Sequence, residues 1–368
     1  VTRLIENDRD FAVFYGALVV MALCIAAHGI YQYIVAAPIP SSWVSQTEAS
    51  VRTRVYSLTG SPNIMGSLLV LFAPMVAGLA YYSSKMWVKV LAICATGMMF
   101  ALLTAHIDLS IGATVSFAAV FWAKLISTNE GIMMNPYLAM LVVLFFCVII
   151  GTANGLLVVK TNMPALIATM ATSTVLEGVN YLITDAKPIS KIDESIYWIG
   201  QSYVGKIPMP VIVFGVIVIV AGVILGFTYI GRYIYATGSN SEAARLAGLN
   251  TDMVNVAAYI VSACLCGVAG FVLCSRLRSG TATTGTQYQS KALTSCVVGG
   301  ISMRGGEGNI YNLLVGVFVI GVLSNGLTII GVNDYWQSVA QGIILAFAVG
   351  TDYYSRTHVK TTLRTAKS

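Results

Sequence analysis

The chain has 368 residues, of which 57% are hydrophobic and 10% are charged, and its mean hydropathy is +0.79. This composition excludes the soluble globular classes and indicates an integral membrane protein. The formal charge of +6 is modest and typical of cytoplasmic loops in a membrane protein, so it gives no reason to expect nucleic acid as a partner.

Apolar stretches near or above the roughly 18 residues needed to cross a bilayer recur along the whole chain. They predict an all-α, polytopic bundle of about ten or eleven transmembrane spans. The predicted spans are Phe11–Ala37, Ile64–Tyr82, a third that ends at Ala105, Ile111–Ser127, Tyr137–Val159, Met163–Ile183, Met209–Ile230, Val254–Cys274, Ala292–Met303, Ile310–Gly331 and Tyr335–Gly350.

The segment Ala292–Met303 is too short to cross as an ordinary helix, and it contains Gly299 and Gly300. Irregular backbone survives at membrane depth only where protein or a water-filled cavity satisfies it. We therefore predict a broken span that forms a pathway wall. Tight helix packing through small residues explains the same sequence equally well.

The polar stretch Gly231–Asn250 stands between two long apolar segments. Ser239 and Glu242 match a capping box, and Gly248 is suited to end the short helix that would follow. A helix of about two turns does not persist alone in water. It must therefore pack against the membrane surface or against a soluble partner.

The helical spacing of this stretch predicts two faces. Ala243, Leu246 and Ala247 share one of them, and Glu242 can pair with Arg245 on another.

Charge sets the orientation. The tail after Asp352 contains basic residues and no acidic ones, so the positive-inside rule predicts a cytoplasmic C-terminus. Counting spans backwards from it, with Ala292–Met303 as a crossing, places Gly231–Asn250 in the cytoplasm. The charge-balanced loop Thr184–Pro208 is then outside.

Four segments resemble one family in the same order: AICATGMMFALLTAHIDLSIGA, GTANGLLVVKTNMPALIATMATSTVLEG, GRYIYATGSNSEAARLAGLN and VVGGISMRGGEGNIYNLLVGVFVIGVLSNGLTIIGVNDYWQ. The family is the ribose/galactose-type permease of bacterial ABC importers, and the resemblance covers about Ala92–Asp352. It implies a multi-pass subunit of the bacterial inner membrane that forms half of a monosaccharide pathway with a second permease copy, as a homodimer or a heterodimer.

The resemblance also implies partners. These are a cytoplasmic ABC ATPase, a periplasmic or lipid-anchored sugar-binding protein and membrane lipids. The residues implied to couple to the ATPase are Ser239, Glu242, Ala243, Ala244, Arg245, Leu246 and Gly248. The sequence contains no G-x-x-x-x-G-K-[ST] motif, so we expect ATP on the partner subunit, with no cofactor, metal or catalytic residue in this chain.

Polar and glycine residues within the predicted spans are candidates for the pathway. They are Asp108, Asn154, Thr169, Glu177, Gly299, Gly300, Asn325 and Gln337. Each has a plainer alternative: Asp108 as a cap of Ile111–Ser127, Glu177 as a group that reaches water, and the uncharged side chains as hydrogen-bonding links between helices.

The residues before the permease-like region 106–368 form a separate N-terminal membrane segment, Val1–Ala105. GIYQYIVAAP and RVYSLTGSPNIMGSLLVLFAPMVAGLAYY resemble part of the O-antigen ligase/polymerase family. Two alternatives follow. One is a membrane glycan ligase that uses Arg52 and Arg54 on a lipid-linked sugar, and the other is a non-functional hybrid of the two families.

Overall fold

The computed structural model describes residues 87–129, 131–205, 207–329 and 331–365. The predicted spans Phe11–Ala37 and Ile64–Tyr82, and the residues Arg52 and Arg54, lie outside the described residues. Within the described ranges, every predicted span falls on a helix, except that Ala292–Met303 is helical only as far as Val298. The prediction of an all-α membrane bundle is confirmed.

The helices are named in chain order: α1 (Trp87–Leu103), α2 (Ile111–Ile126), α3 (Pro136–Lys160), α4 (Ala165–Thr184), α5 (Tyr197–Gln201), α6 (Met209–Phe227), α7 (Tyr229–Ser239), α8 (Ser241–Leu246), α9 (Thr251–Leu277), α10 (Tyr288–Val298), α11 (Ile310–Ile329) and α12 (Asp334–Thr365).

Five of these helices are long and apolar enough to cross a membrane, namely α3, α4, α6, α9 and α11. Helices α1 and α2 are apolar but shorter. The predicted span Ala292–Met303 is occupied by α10, which ends at Val298, and by the start of an irregular stretch that continues to α11. The backbone therefore breaks where the sequence predicts a break.

Helix α9 is the centre of the larger compact unit, Lys85–Ile320. It packs against α1, α2 and α3, and it also contacts α5 and α7. Large apolar side chains fill these contacts: Trp122 of α2 and Phe271 of α9, for example, are almost fully buried with ring centroids 4.8 Å apart. Helix α4 packs on the outside of α2 and α3, and α10 packs on α1.

Helices α3 and α9 approach each other at a seam of small residues. A methyl carbon added at Gly151 would lie 2.6 Å from the Cα of Ile260, and one at Gly155 would lie 2.7 Å from the Cα of Val256. Because lipid tails are as apolar as the side chains, membrane helices associate through close contacts of this kind.

The segment predicted as the polar loop Thr184–Pro208 contains a 3₁₀ turn (Glu194–Ile196), α5, and the two-stranded antiparallel hairpin of β1 (Tyr203–Val204) and β2 (Ile207–Pro208). It is tied to the end of α9. Ile189 and Gly280 exchange backbone hydrogen bonds of 2.9 Å, and Ser275 Oγ donates to Ile196 O at 2.8 Å.

The part of the chain from Gly321 onward belongs to a second compact unit. There, Gln341 Nε2 donates to Ser324 Oγ at 3.0 Å, and Gln337 Nε2 donates to Thr328 Oγ1 at 3.1 Å. These amides link α12 to the last turns of α11.

Candidate functional site

The short helix predicted in Gly231–Asn250 is α8, but it begins one residue later than the capping-box prediction. Ser239 is the last residue of α7, where its hydroxyl donates to Tyr235 O at 2.8 Å. The N-cap is Asn240, whose side-chain oxygen accepts from Ala243 N at 3.0 Å. The prediction of Ser239 as the N-cap is wrong, because the preceding residues continue α7 and the chain first turns extended at Asn240.

The predicted end of α8 is confirmed. Gly248 has φ = +86°, in the left-handed region that favours glycine. Its N–H donates to Arg245 O, and the N–H of Leu249 donates to Ala244 O, both at 3.0 Å. This pair of bonds is a Schellman motif, which satisfies the carbonyl groups that a helix end leaves free.

Helix α8 is held by one side chain and presents the others to solvent. Ala244 is buried, whereas Glu242, Ala243 and Arg245 are exposed, and 91% of Leu246 is exposed. This helix of six residues therefore presents one large apolar side chain with charged neighbours.

The C-terminus of α7 is in backbone contact with two other segments. A methyl carbon added at Gly238 would lie 1.8 Å from Leu103 O, at the end of α1, and 2.6 Å from Gly306 N. Gly306 N donates to the same Leu103 O at 2.9 Å, and Tyr235 OH donates to Gly308 O at 2.8 Å. We call this contact of α1, α7 and the loop 302–308 the three-way junction.

A cavity of about 460 Å³ lies beside the three-way junction, and its lining includes Thr104, His106, Thr237, Asn240 and Asn255. His106 belongs to the connection between α1 and α2, where burial lowers the pKa of its imidazole. The connection that contains Asp108 is therefore a direct neighbour of the corner between α7 and α8.

Asp108 is 1% exposed and accepts three hydrogen bonds. Its Oδ1 accepts from Ser110 Oγ at 2.6 Å and from Ser110 N at 3.0 Å, and its Oδ2 accepts from Ser262 Oγ of α9 at 2.7 Å. Burial raises the pKa of this carboxyl, while the hydrogen bonds from the two serines lower it. The N-cap residue of α2 is Ser110 and not Asp108. Asp108 lies just before the helix, where it accepts from the N–H and the hydroxyl of Ser110, and it also binds across to α9.

Asn154 and Thr169, two of the predicted pathway residues, join Asp108 in one cluster. Asn154 Nδ2 donates to Ser110 Oγ at 2.8 Å, and Thr169 Oγ1 accepts from Leu109 N at 3.1 Å. Both side chains are almost fully buried. The buried polar cluster, defined as Asp108, Ser110, Asn154, Thr169 and Ser262, thus joins α3, α4 and α9 through the connection between α1 and α2.

Sequence reasoning missed Ser262 and Ser110. A single serine in an apolar span such as α9 is common, because its hydroxyl can bond to its own helix. Ser110 is part of the Asp-Leu-Ser segment quoted above, and its position two residues after Asp108 could have indicated a hydrogen bond between the two side chains.

The remaining pathway candidates lie elsewhere. Glu177 is exposed on α4, where Ser173 Oγ donates to its Oε1 at 3.3 Å. A methyl carbon at Gly299 would lie 2.1 Å from Asn312 O, which favours the tight-packing explanation for this glycine, and Gly300 follows with φ = +90°. Gln337 is held by its bond to Thr328, and Asn325 is half-buried on α11.

Two features of the described chain define a class of protein: a bundle of membrane-spanning helices and a small rigid helix displayed at the end of one of them. Residues 79–349 match the family described as the permease component of branched-chain amino acid transport systems. The match covers most of the chain, and the chain belongs to this permease family.

Several curated relatives agree. The chain is 37% identical to the ribose import permease protein RbsC of Haemophilus influenzae, over 72% of this chain and 81% of that protein. It is 34% identical to the galactose/methyl galactoside import permease protein MglC of Salmonella typhimurium, over 71% and 82%. It is 30% identical to the L-arabinose transport system permease protein AraH of Escherichia coli, over 71% and 79%. No solved structure matches the chain.

The predicted resemblance to ribose/galactose-type ABC permeases is confirmed. The chain is a transport subunit of the inner membrane and not an enzyme, and ATP hydrolysis belongs to a separate ATPase subunit. The match and the relatives concern the permease region, and they give no support to the glycan ligase alternative.

Proposed function

We propose that the chain forms half of the translocation pathway of an ATP-driven importer for a monosaccharide of the ribose or galactose type, with a second permease subunit forming the other half. The family description names amino acids, but the relatives at 34–37% identity are named for ribose and galactose. These individual relatives are the more specific evidence. A periplasmic or lipid-anchored binding protein delivers the sugar.

Helix α8 is the element that engages the ATPase. The observation that carries this proposal is the exposure of Leu246, 91%, on a helix fixed at both ends by Asn240 and the Schellman motif. An apolar centre with a polar rim is the usual arrangement of a protein interface. The fixed ends matter, because a preorganised helix loses little conformational freedom when it binds.

The three-way junction transmits the movement of α8 to the membrane. At Gly238, α7 meets α1 and the loop 302–308 through backbone atoms, so no flexible side chain separates them there. A displacement of the corner at Asn240 reaches the end of α1 and, through the connection after it, the buried polar cluster. Rigid-body movement of helix groups is how transporters alternate access.

The test replaces Glu242, Arg245 and Leu246 together with alanine and measures how much ATPase co-purifies with the permease. We expect a loss of about tenfold or more, because tenfold corresponds to about 1.4 kcal/mol and the truncation of a central interface residue such as an arginine costs about this much or more. The helix itself should persist, since alanine favours helix and Asn240 and Gly248 remain.

The matched control replaces an acidic, a basic and a large apolar residue in the loop predicted to lie outside, namely Glu194, Lys187 and Trp198, with alanine. Co-purification should be unchanged in this variant. Full retention of the ATPase by the α8 variant would refute the docking role of this helix.

A further inference from the structure

Helices α4 and α6 expose most of their surface, but the exposed residues differ in kind. In the most apolar 18 residues of each helix, only 17% are buried in α6 and 28% in α4. The exposed residues of α6 are all apolar or glycine, and they include Ile219 at 67% and Val220 at 51%. This surface suits contact with lipid.

One side of α4 has a different character. Its exposed residues at helical spacing form what we call the Glu177 face, defined as Ala171, Thr174, Glu177, Gly178 and Tyr181. Thr174 satisfies its hydroxyl by donating to Met170 O at 3.1 Å, so this residue tolerates lipid. The carboxylate of Glu177 is not satisfied in this way, because it accepts a single hydrogen bond of 3.3 Å, from Ser173 Oγ.

The charge of Glu177 excludes lipid as its surroundings. Within the described part of the chain, no basic side chain forms an ion pair with it. Ionisable residues inside spans face the bundle interior or a water-filled cavity, because a charge in hydrocarbon is costly. The interior of this bundle is on the opposite side of α4, where Leu176 and Asn180 pack against α2.

A tight contact with a second copy does not solve the problem either. In a two-fold interface the same patch appears on both subunits. At the two-fold axis, a closely packed Glu177 face would bring Glu177 near its own counterpart, and away from the axis it would bury the carboxylate against a patch that contains no basic residue. Two carboxylates without a cation between them repel each other. Water between the two faces would hydrate the carboxylates and screen this repulsion.

We propose that the Glu177 face lines a water-filled passage, and that the Glu177 carboxylate accepts hydrogen bonds from hydroxyl groups of a neutral, polyhydroxylated substrate. This inference rests on the proposed function and names a residue that recognises the substrate. A carboxylate has two acceptor oxygens, and bonds to a charged acceptor are roughly twice as strong as neutral ones. Gly178 leaves room beside it, since an added methyl carbon there would meet no atom within 4 Å.

The first experiment measures water access. Gly178→Cys and, as a lipid-facing control, Val220→Cys are treated in membranes with a charged, membrane-impermeant thiol reagent on each side in turn. The unsubstituted chain corrects for its own cysteines. We expect at least tenfold faster modification at position 178 than at 220. Equal, background rates at both positions would overturn the proposal.

The second experiment measures substrate recognition. Glu177→Gln keeps the shape of the side chain and removes its charge, and Glu194→Gln is the matched control on the outer loop. With the ATPase and binding protein supplied, we expect uptake of D-ribose, D-galactose or L-arabinose to fall about tenfold or more in the first variant, while ATPase co-purification is unchanged. Normal uptake by this variant would overturn the role of Glu177.

The two experiments also separate this inference from the proposed function. If the unsubstituted chain takes up none of the three sugars, the monosaccharide assignment fails. The rate of modification at position 178 still decides whether the Glu177 face lines a passage.

Discussion

Asp108 is a carboxyl group removed from water inside a membrane protein, and its donors are placed on two different segments. Ser110 lies in the same connection, but Ser262 lies on α9, 154 residues further along the chain. A buried acceptor of this kind is costly when a donor is lost, because the desolvation of the group is then uncompensated. Ser262, which no sequence motif marks, therefore helps to stabilise the buried carboxyl group of Asp108.

Replacing Ser262 with alanine should lower the free energy of unfolding by about 1–3 kcal/mol, because Oδ2 of Asp108 loses its 2.7 Å partner. The measurement is thermal or denaturant unfolding in detergent. Ser195→Ala, at an exposed position of the loop Thr184–Pro208, should stay within about 0.5 kcal/mol of the unsubstituted chain. A stability equal to that control would mean that the bond from Ser262 contributes nothing.

At the scale of the elements, α7 connects α8, the helix that we propose binds the ATPase, with the helices that surround α9. Its last turn has no tolerance for added volume, since the neighbours of Gly238 are main-chain atoms of α1 and of the loop 302–308. Main-chain atoms cannot rotate away as a side chain can. The position of α7 is thus fixed by α1, and a change at one is transferred to the other.

Gly238→Ala should separate α7 from α1 and reduce the stimulation of ATP hydrolysis by the sugar-loaded binding protein several-fold. Overpacking of this kind costs about 1–3 kcal/mol. The ATPase should still co-purify, because α8 is unaltered. The measurement is ATPase activity in reconstituted membranes with and without the binding protein.

The control for this change is Gly215→Ala on α6, where an added methyl carbon would meet no atom within 4 Å. It should leave the stimulation unchanged. If Gly238→Ala also shows full stimulation, the three-way junction does not carry the coupling.

At the scale of the whole molecule, the orientation of the chain is open to a direct test. We expect Arg245→Cys to react with an impermeant thiol reagent only from the cytoplasmic side, and Lys187→Cys only from the periplasmic side. The physical reason is the basic tail after Asp352, which favours the cytoplasm. Labelling of position 245 from outside in intact cells would contradict both the topology and the docking of an ATPase on α8.

Much of this architecture is predictable from the sequence, because long apolar segments have few alternatives in a bilayer. Helices α2, α3 and α4 begin and end within two residues of the predicted spans. The Asn154 and Thr169 side chains were predicted as pathway or linking residues, and the structure places them in one cluster with Asp108. The resemblance of the chain to its family rests on four motifs that occur in a fixed order.

The rest depends on contacts between distant segments, which local patterns do not contain. Ser239 and Glu242 satisfy the spacing of a capping box, yet α7 continues through Ser239 because its turns pack on α1. In the same way, the position of Asp108 just before α2 predicts its bonds to Ser110 but not its bond to the hydroxyl group of Ser262 on α9. A local preference of about 1 kcal/mol is easily outweighed by such packing.

The seam between α3 and α9 has one more consequence. Since Gly151 and Gly155 allow almost no space between the two backbones, we expect these helices to move as one body during a transport cycle. A pair of fluorescent dyes attached to α3 and α9 would therefore report a constant distance, and it would serve as an internal ruler against which the displacement of every other helix is measured.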